Sequence, residues 1–203
     1  MSSANQHTNK QSLQKEHMLD EIQRFRTFNQ LKTVYRYNTV GDRKESSAEH
    51  TWSALVLADL FLTHNPRGLD KLKVFELLMY HDAVEIIAGD VPLHPDVMRE
   101  GKTEKEALAA QELATQIPIL LKEKYITLHD EYVNQETKEA RFAKIVDFLD
   151  AQIHELDYKK DWKGYTREFL VEHKGYVFEE FPDLKELFYE LLNYCEEHEY
   201  FSQ

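Results

Sequence analysis

The chain has 203 residues and a mass of 24.1 kDa, enough for one domain with its own core and short terminal extensions. Apolar residues make up 42% and charged residues 31%, which excludes a wholly disordered chain. The formal charge of −12 argues against a surface built to grip nucleic acid or anionic lipid, while a small phosphorylated ligand held by a metal and a few cationic side chains stays compatible with it.

Residues 1 to 12 read as a disordered polar tail, and the rest as one helical domain over 13–203. A first helix is expected from about Leu13 to Leu31, with Leu13, His17, Ile22, Phe25 and Phe28 on one side. The polar stretch from Lys32 to Glu49, containing Gly41, reads as an extended connection. Ser46 and Ser47 then cap an apolar helix over about Ala48 to Leu62 that carries Trp52, Leu55, Val56, Leu60 and Phe61. Pro66 and Gly68 break it. A third helix, about Asp70 to Asp82, is expected to bury Leu72, Val74, Phe75, Leu77 and Leu78, with a short continuation to Ala88 that Gly89 closes.

Pro92 and Pro95 make a loop of the stretch to Gly101. Thr103 with Glu106 looks like a capping box opening a long helix to about Tyr125, which Pro118 kinks or splits. A further helix spans about Glu136 to Leu156, with Phe142, Ile145, Leu149, Ile153 and Leu156 on one stripe. Two last helices, about Thr166 to Phe178 and Leu184 to His198, complete the bundle on either side of Pro182. No alternating run is long enough for a central strand, so the expectation is all-α. No run approaches 18 apolar residues, and the N-terminus has no secretory pattern. With a single cysteine, Cys195, the default expectation is a cytoplasmic protein without disulfides.

The chemistry concentrates in MYHDAVEIIAGDVP, residues 79–92. His81, Asp82, Glu85 and Asp90 stand there in a dense apolar run, and charges buried in such surroundings are paired, metal-bound or functional. On a helix His81 and Glu85 share a face, and Asp82 is turned by about 100°. A solvated polar stripe is the plain alternative. His50 in SSAEHTW and Asp147 in AKIVDFLD have plain alternatives too, a helix-start histidine and an ion pair with Lys144. Together the four groups His50, His81, Asp82 and Asp147 offer two imidazoles and two carboxylates. That mixed set suits Mn²⁺, Fe²⁺, Co²⁺ or Mg²⁺ better than a closed zinc site. Asp150 is a competing carboxylate if the helix phase differs. His94 sits between prolines near the same region, and a loop histidine is usually solvated. His154, His173 and His198 are expected to face solvent, and Tyr176, Phe178, Phe181, Leu187 and Phe188 to pack a core or a dimer seam.

The order His50, His81–Asp82, Asp147 resembles the HD-domain metal-dependent phosphohydrolases. HDAVEIIAGDVP together with VYRYNTV and SSAEHTW is similar to the branch containing the HD-domain 5′-deoxynucleotidases. The likeness covers about Leu31 to Asp157. It implies an all-α, single-domain HD-type helical bundle, often a homodimer, that acts on a small nucleotide with one divalent metal ion. It makes His50, His81, Asp82 and Asp147 the metal ligands and Glu85 the residue that positions or activates the attacking water. It makes Asp90 a catalytic and substrate-contacting group, through sugar hydroxyls, and Arg36 the residue approaching the phosphate. The bacterial deoxynucleotidases carry an Arg-Trp pair a few residues before Arg36, where this chain reads Leu31–Lys32, with Lys32 as a substitute charge. The leading expectation is release of phosphate from nucleoside 5′-monophosphates. The alternatives are an HD hydrolase of nucleotide di- or triphosphates or signalling nucleotides, a di-iron oxygenase needing more ligands, and a non-catalytic binding protein.

Overall fold

The computed structural model describes residues 17–201; the expected polar tail at 1–12 and Leu13 lie outside them. Helix α1 occupies described residues 17–25 and tightens into a 3₁₀ stretch at Arg26–Thr33. Its buried residues are Glu21 and Leu31; of the apolar stripe expected there, Phe28 packs against the core beside Tyr80, while Ile22 and Phe25 are half exposed.

The stretch expected to be a plain connection forms an antiparallel hairpin instead, β1 at Tyr35–Val40 and β2 at Arg43–Ser46. Val40 pairs with Arg43 across a two-residue turn, and Gly41 takes φ +60° there, a left-handed value tolerated by glycine and favoured in short hairpins. The hairpin is held from behind by polar contacts. The Thr39 amide and hydroxyl both donate to Asp161, at 2.6 and 2.8 Å.

The helices that follow are α2 at Ser47–His64, α3 at Lys71–Tyr80, α4 at Glu85–Ala88, α5 at Lys102–Gln116 and α6 at Ile119–Asn134. After them come α7 at Lys138–Glu155, α8 at Arg167–Lys174 and α9 at Pro182–Glu197. Short 3₁₀ turns lie at Lys159–Trp162 and Gly175–Phe178. Local chemistry accounts for most of the boundaries. Ser46 caps α2 through a reciprocal box with Glu49, Asp70 caps α3 with two backbone bonds, and Thr137 caps α7. Pro118 does divide α5 from α6. The Thr103–Glu106 box does not form; α5 begins after Gly101, which takes a left-handed conformation without a side-chain cap.

Helix α7 is the centre of the molecule and packs against α2 and α3. Ala54 and Ala58 of α2, Leu77 and Leu78 of α3, and Ala143, Val146 and Leu149 of α7 are buried in one core, the alanines letting the helices approach closely. The C-terminal elements close the other side, with Phe178 stacked on Phe188 and Phe181 against Phe142. Leu72 is two-thirds exposed and Ile153 is exposed, against the expected stripes. On α2 the exposed large apolar residues are Trp52, Val56 and Leu60, spaced by four along one face. No helix among the described residues is long and apolar enough to cross a membrane.

Because α7 is enclosed on several faces, its polar residues are enclosed as well. Asp147, Asp150, Gln152 and Glu155 are all buried. Such groups need partners, and following those partners leads to the site.

Candidate metal centre and active site

Three elements bring the site together. The Ser46 cap starts α2 so that His50 falls in its first turn, fully buried against α7. Helix α3 ends at Tyr80, and residues 81–84 form a tight turn before α4. His81 and Asp82 therefore sit at a break between helices, and His81 and Glu85 do not belong to one continuous helix as expected; both still face the same cavity. Gly89, at φ +73°, ends α4 in a conformation suited to glycine and turns the chain so that Asp90 also lines the cavity.

His50, His81 and Asp147 each offer one ligand atom, all within 4.8 Å of one another. The Nε2 of His50 is 3.1 Å from Asp147 Oδ1, and the Nε2 of His81 is 3.8 Å from the same oxygen. Asp82 lies beside them, its Oδ1 3.1 Å from His81 Nε2 and its Oδ2 3.9 Å from His50 Nε2. The backs of these groups are fixed. His81 Nδ1 donates to the Leu78 carbonyl at 2.6 Å, which leaves Nε2 as the lone-pair nitrogen of the neutral ring; that buried atom has no hydrogen-bond partner among the described residues. His50 Nδ1 donates to Asp150 at 2.8 Å, and Asp150 also accepts from Ser53 at 2.5 Å. Asp150 thus stands behind His50, and Asp147 is the α7 carboxylate that meets the imidazoles.

The electrostatics agree with a cation at the centre. Burial pushes His81 below its ordinary pKa despite Asp82 and Asp147, which keeps it a neutral donor. For His50, burial and Arg36 oppose charge, but Asp147, Asp150 and Asp82 outweigh them and raise it to about 10. Asp147 stays ionised well below the usual range although burial opposes it, because Lys144 and the two imidazoles hold the anion. Its other oxygen accepts from Tyr132 Oη at 2.7 Å and Lys144 Nζ at 3.0 Å. The residues present fit a divalent ion: the neutral His81 ring, the His50 ring, whose Nε2 proton a bound cation would replace among the same carboxylates, a fixed carboxylate and oriented partners behind them. Asp150→Asn is expected to weaken Mn²⁺ or Co²⁺ binding by about 10- to 100-fold, the usual loss at such a supporting position; calorimetric titration showing wild-type affinity would remove Asp150 from that role.

The cavity beside this centre measures about 270 Å³. Burial, Asp82 and Asp90 raise Glu85 well above the usual carboxylate range, and its Oε2 accepts from Ser47 Oγ at 2.6 Å. Asp90 is also raised, chiefly by burial. Arg36 lines the cavity with Nη1 3.0 Å from Asp82 Oδ2 and Nε 3.6 Å from Glu45. His50, His81, Asp82, Glu85, Asp90, Arg36 and Asp147 are therefore in one place. Lys32 is not among the lining residues; it bonds Asn29 on the surface. His94 is buried between Tyr37 and Tyr165 and bonds the Lys163 carbonyl, so it is neither solvated nor a lining group. His154 bonds the Thr39 carbonyl at 2.7 Å and ties α7 to the hairpin, whereas His173 and His198 are exposed as expected.

Sequence reasoning missed Tyr132 as an anchor of Asp147, since a lone tyrosine on a helix carries no signal beyond packing. It also missed the far end of the cavity, where Asn38 Nδ2 donates to Glu155 Oε1 at 3.0 Å. Burial raises Glu155 to about 8 and lowers Lys174 to about 8 in the same region.

Comparisons with known proteins bear on this geometry. The family model described as HD domain matches residues 28–185. The 5′-deoxynucleotidase HDDC2 of Xenopus laevis is 32% identical over 143 residues, covering 68% of this chain and 69% of that protein. Its human counterpart of the same name is 28% identical, covering 68% of each. A crystal structure of a predicted metal-dependent phosphohydrolase from Magnetospirillum magnetotacticum superposes with a TM-score of 0.80 at 27% identity, covering 91% of this chain and 95% of that one.

Proposed function

Since the chain belongs to the HD domain family, we propose that it is a divalent-metal-dependent phosphohydrolase releasing phosphate from nucleoside 5′-monophosphates, deoxyribonucleotides among them. The observation that carries this reading is the buried cluster of His50, His81 and Asp147 opening on a cavity, with an unpartnered His81 Nε2 at its centre. The relatives named 5′-deoxynucleotidase support the substrate class.

In this reading His50, His81, Asp82 and Asp147 hold one divalent ion, Mn²⁺, Co²⁺, Fe²⁺ or Mg²⁺. When bound, that ion supplies Lewis-acid stabilisation of phosphoryl charge and a more acidic water. Asp82 links the ion to the phosphate site, because one of its oxygens faces the imidazoles and the other holds Arg36. Arg36, fixed between Asp82 and Glu45, presents a permanent positive charge to the phosphate. Glu85 orients the attacking water and takes its proton; a carboxylate raised well above its usual range is suited to that task near neutral pH. Asp90 meets the sugar at the mouth of the same cavity.

A phosphate-release screen tests this. It uses ribo- and deoxyribonucleoside 5′-mono-, di- and triphosphates with Mn²⁺, Co²⁺, Mg²⁺ or chelator. Turnover of monophosphates that chelator abolishes is expected; turnover confined to triphosphates overturns the proposal.

The working form is a cytoplasmic homodimer in this reading. Trp52, Val56 and Leu60 are 69%, 53% and 61% exposed on one face of α2, an apolar row of the kind that a second copy covers. Trp52→Glu is expected to convert a dimer to a monomer in light scattering. A wild-type protein that runs as a monomer at micromolar concentration would remove the assembly.

A further inference from the structure

The reaction described above uses only one end of the cavity. Helix α7 carries Asp147, Phe148, Ala151, Gln152 and Glu155 along the same wall. At a rise of 1.5 Å per residue, Gln152 lies about 7.5 Å and Glu155 about 12 Å along the axis from Asp147. That direction leads away from the metal centre by the reach of a nucleotide from its phosphate to its base.

Gln152 is the unusual residue there. It is 1% exposed, and neither its Oε1 nor its Nε2 has a hydrogen-bond partner among the described residues. A buried amide with all its donors and acceptors unmatched is costly, and glutamine is seldom buried without a partner. Its neighbours make a lined compartment. Asn38 and Glu155 bond each other at 3.0 Å. Trp162 Nε1 donates to the Glu155 carbonyl at 2.9 Å. The Lys174 ammonium lies 5.0 Å from the centre of the Phe148 ring. All of these residues line the cavity, so the compartment offers aromatic surface, one free amide and one cation.

We propose that Gln152 reads the nucleobase. Its Nε2–H donates to a base carbonyl oxygen and its Oε1 accepts from the adjacent ring N–H, while Lys174 favours the carbonyl oxygen. Guanine, thymine and uracil present that edge; adenine and cytosine present an amino group beside a ring acceptor. This rests on the nucleoside monophosphate reading and assigns Gln152 and Lys174 as determinants of which base is taken.

The test compares kcat/KM of wild type, Gln152→Leu and Lys174→Met on dGMP, TMP, dAMP, dCMP and 2-deoxyribose 5-phosphate, which has no base. Melting of each metal-free protein is measured alongside, with and without deoxyguanosine and thymidine. In Gln152→Leu, the ratio of dGMP or TMP kcat/KM to that of the base-free phosphate is expected to fall about tenfold, mainly through KM. The metal-free melting temperature is expected to rise, because an unmatched amide gives way to a methyl group, and the thermal shift produced by the two nucleosides is expected to vanish. Lys174→Met, which leaves α7 intact, is expected to shrink the preference for dGMP and TMP over dAMP and dCMP. An unchanged base profile in both variants, or equal losses on nucleotides and the base-free phosphate, overturns the assignment while leaving the activity in place. A wild-type enzyme inactive on every nucleoside monophosphate would instead overturn the activity reading, and this assignment with it.

Discussion

Alanine at position 147 is expected to lower kcat/KM by about 10³-fold or more and to leave the purified protein without stoichiometric divalent ion. The Lewis-acid contribution of a metal amounts to several kcal/mol, and each 1.36 kcal/mol is about a factor of ten in rate. Asp147 is the member of the cluster whose single oxygen, Oδ1, approaches both imidazoles, at 3.1 and 3.8 Å. Its other oxygen is fixed by Tyr132 and Lys144, so no alternative carboxylate takes its place; Asp150 is committed to His50 and Ser53. Asp147→Asn separates charge from shape, since an amide can still bond Tyr132 or Lys144 through its oxygen. Elemental analysis and phosphate release on the same preparations decide the matter. An Asp147→Ala protein that keeps both metal and full turnover would show that the cluster is not the catalytic centre.

Glu85→Gln has a different expected signature: kcat falls by about 10²- to 10⁴-fold, the range for loss of a general base, while metal content stays at the wild-type level. The change is nearly isosteric, and the amide oxygen can still accept from Ser47 Oγ, which bonds the carboxylate at 2.6 Å. Burial and the neighbouring Asp82 and Asp90 hold the carboxyl well above its usual range. Ionisation of such a group gives the rate a limb that rises with pH, and this limb should be absent from the profile of the Glu85→Gln variant. Loss of metal in that variant, or an unchanged rate, would exclude the proton-accepting role.

Both experiments probe residues that the sequence itself marks out, and the reason is chemical. His81, Asp82, Glu85 and Asp90 stand in an apolar run where charges are out of place, and Asp147 is flanked by Val146 and Phe148. Ionisable groups that interrupt a core pattern announce themselves. The helices were legible for a similar reason, because caps such as Ser46 and Asp70 and breakers such as Pro118 act within a few residues of chain. The hairpin was not. Its inward residues are Asn38, Thr39, Glu45 and Ser46, all polar, so its alternation is invisible to hydropathy and is set by distant partners such as Asp161 and Glu155. The exposure of Trp52, Val56 and Leu60 was equally hidden, since an apolar face reads the same whether it meets the core or another surface. Gln152 gave no signal, because a glutamine within a helix is ordinary until the helix proves to be enclosed.

That enclosure has a consequence for how such a pocket can diversify. The α7 wall cannot change length: one inserted residue between Asp147 and Glu155 would rotate everything beyond it by about 100° and bring core residues into the cavity. Asp90, Arg36 and Asn38 reach the opposite side from a glycine-hinged turn and a hairpin held by polar bonds, elements that tolerate insertion far better than a packed helix. The molecule therefore pairs a fixed jaw with an adjustable one. Shifts in substrate size or sugar preference between relatives should accumulate in the hairpin and in the stretch around Gly89, while the spacing along α7 stays constant.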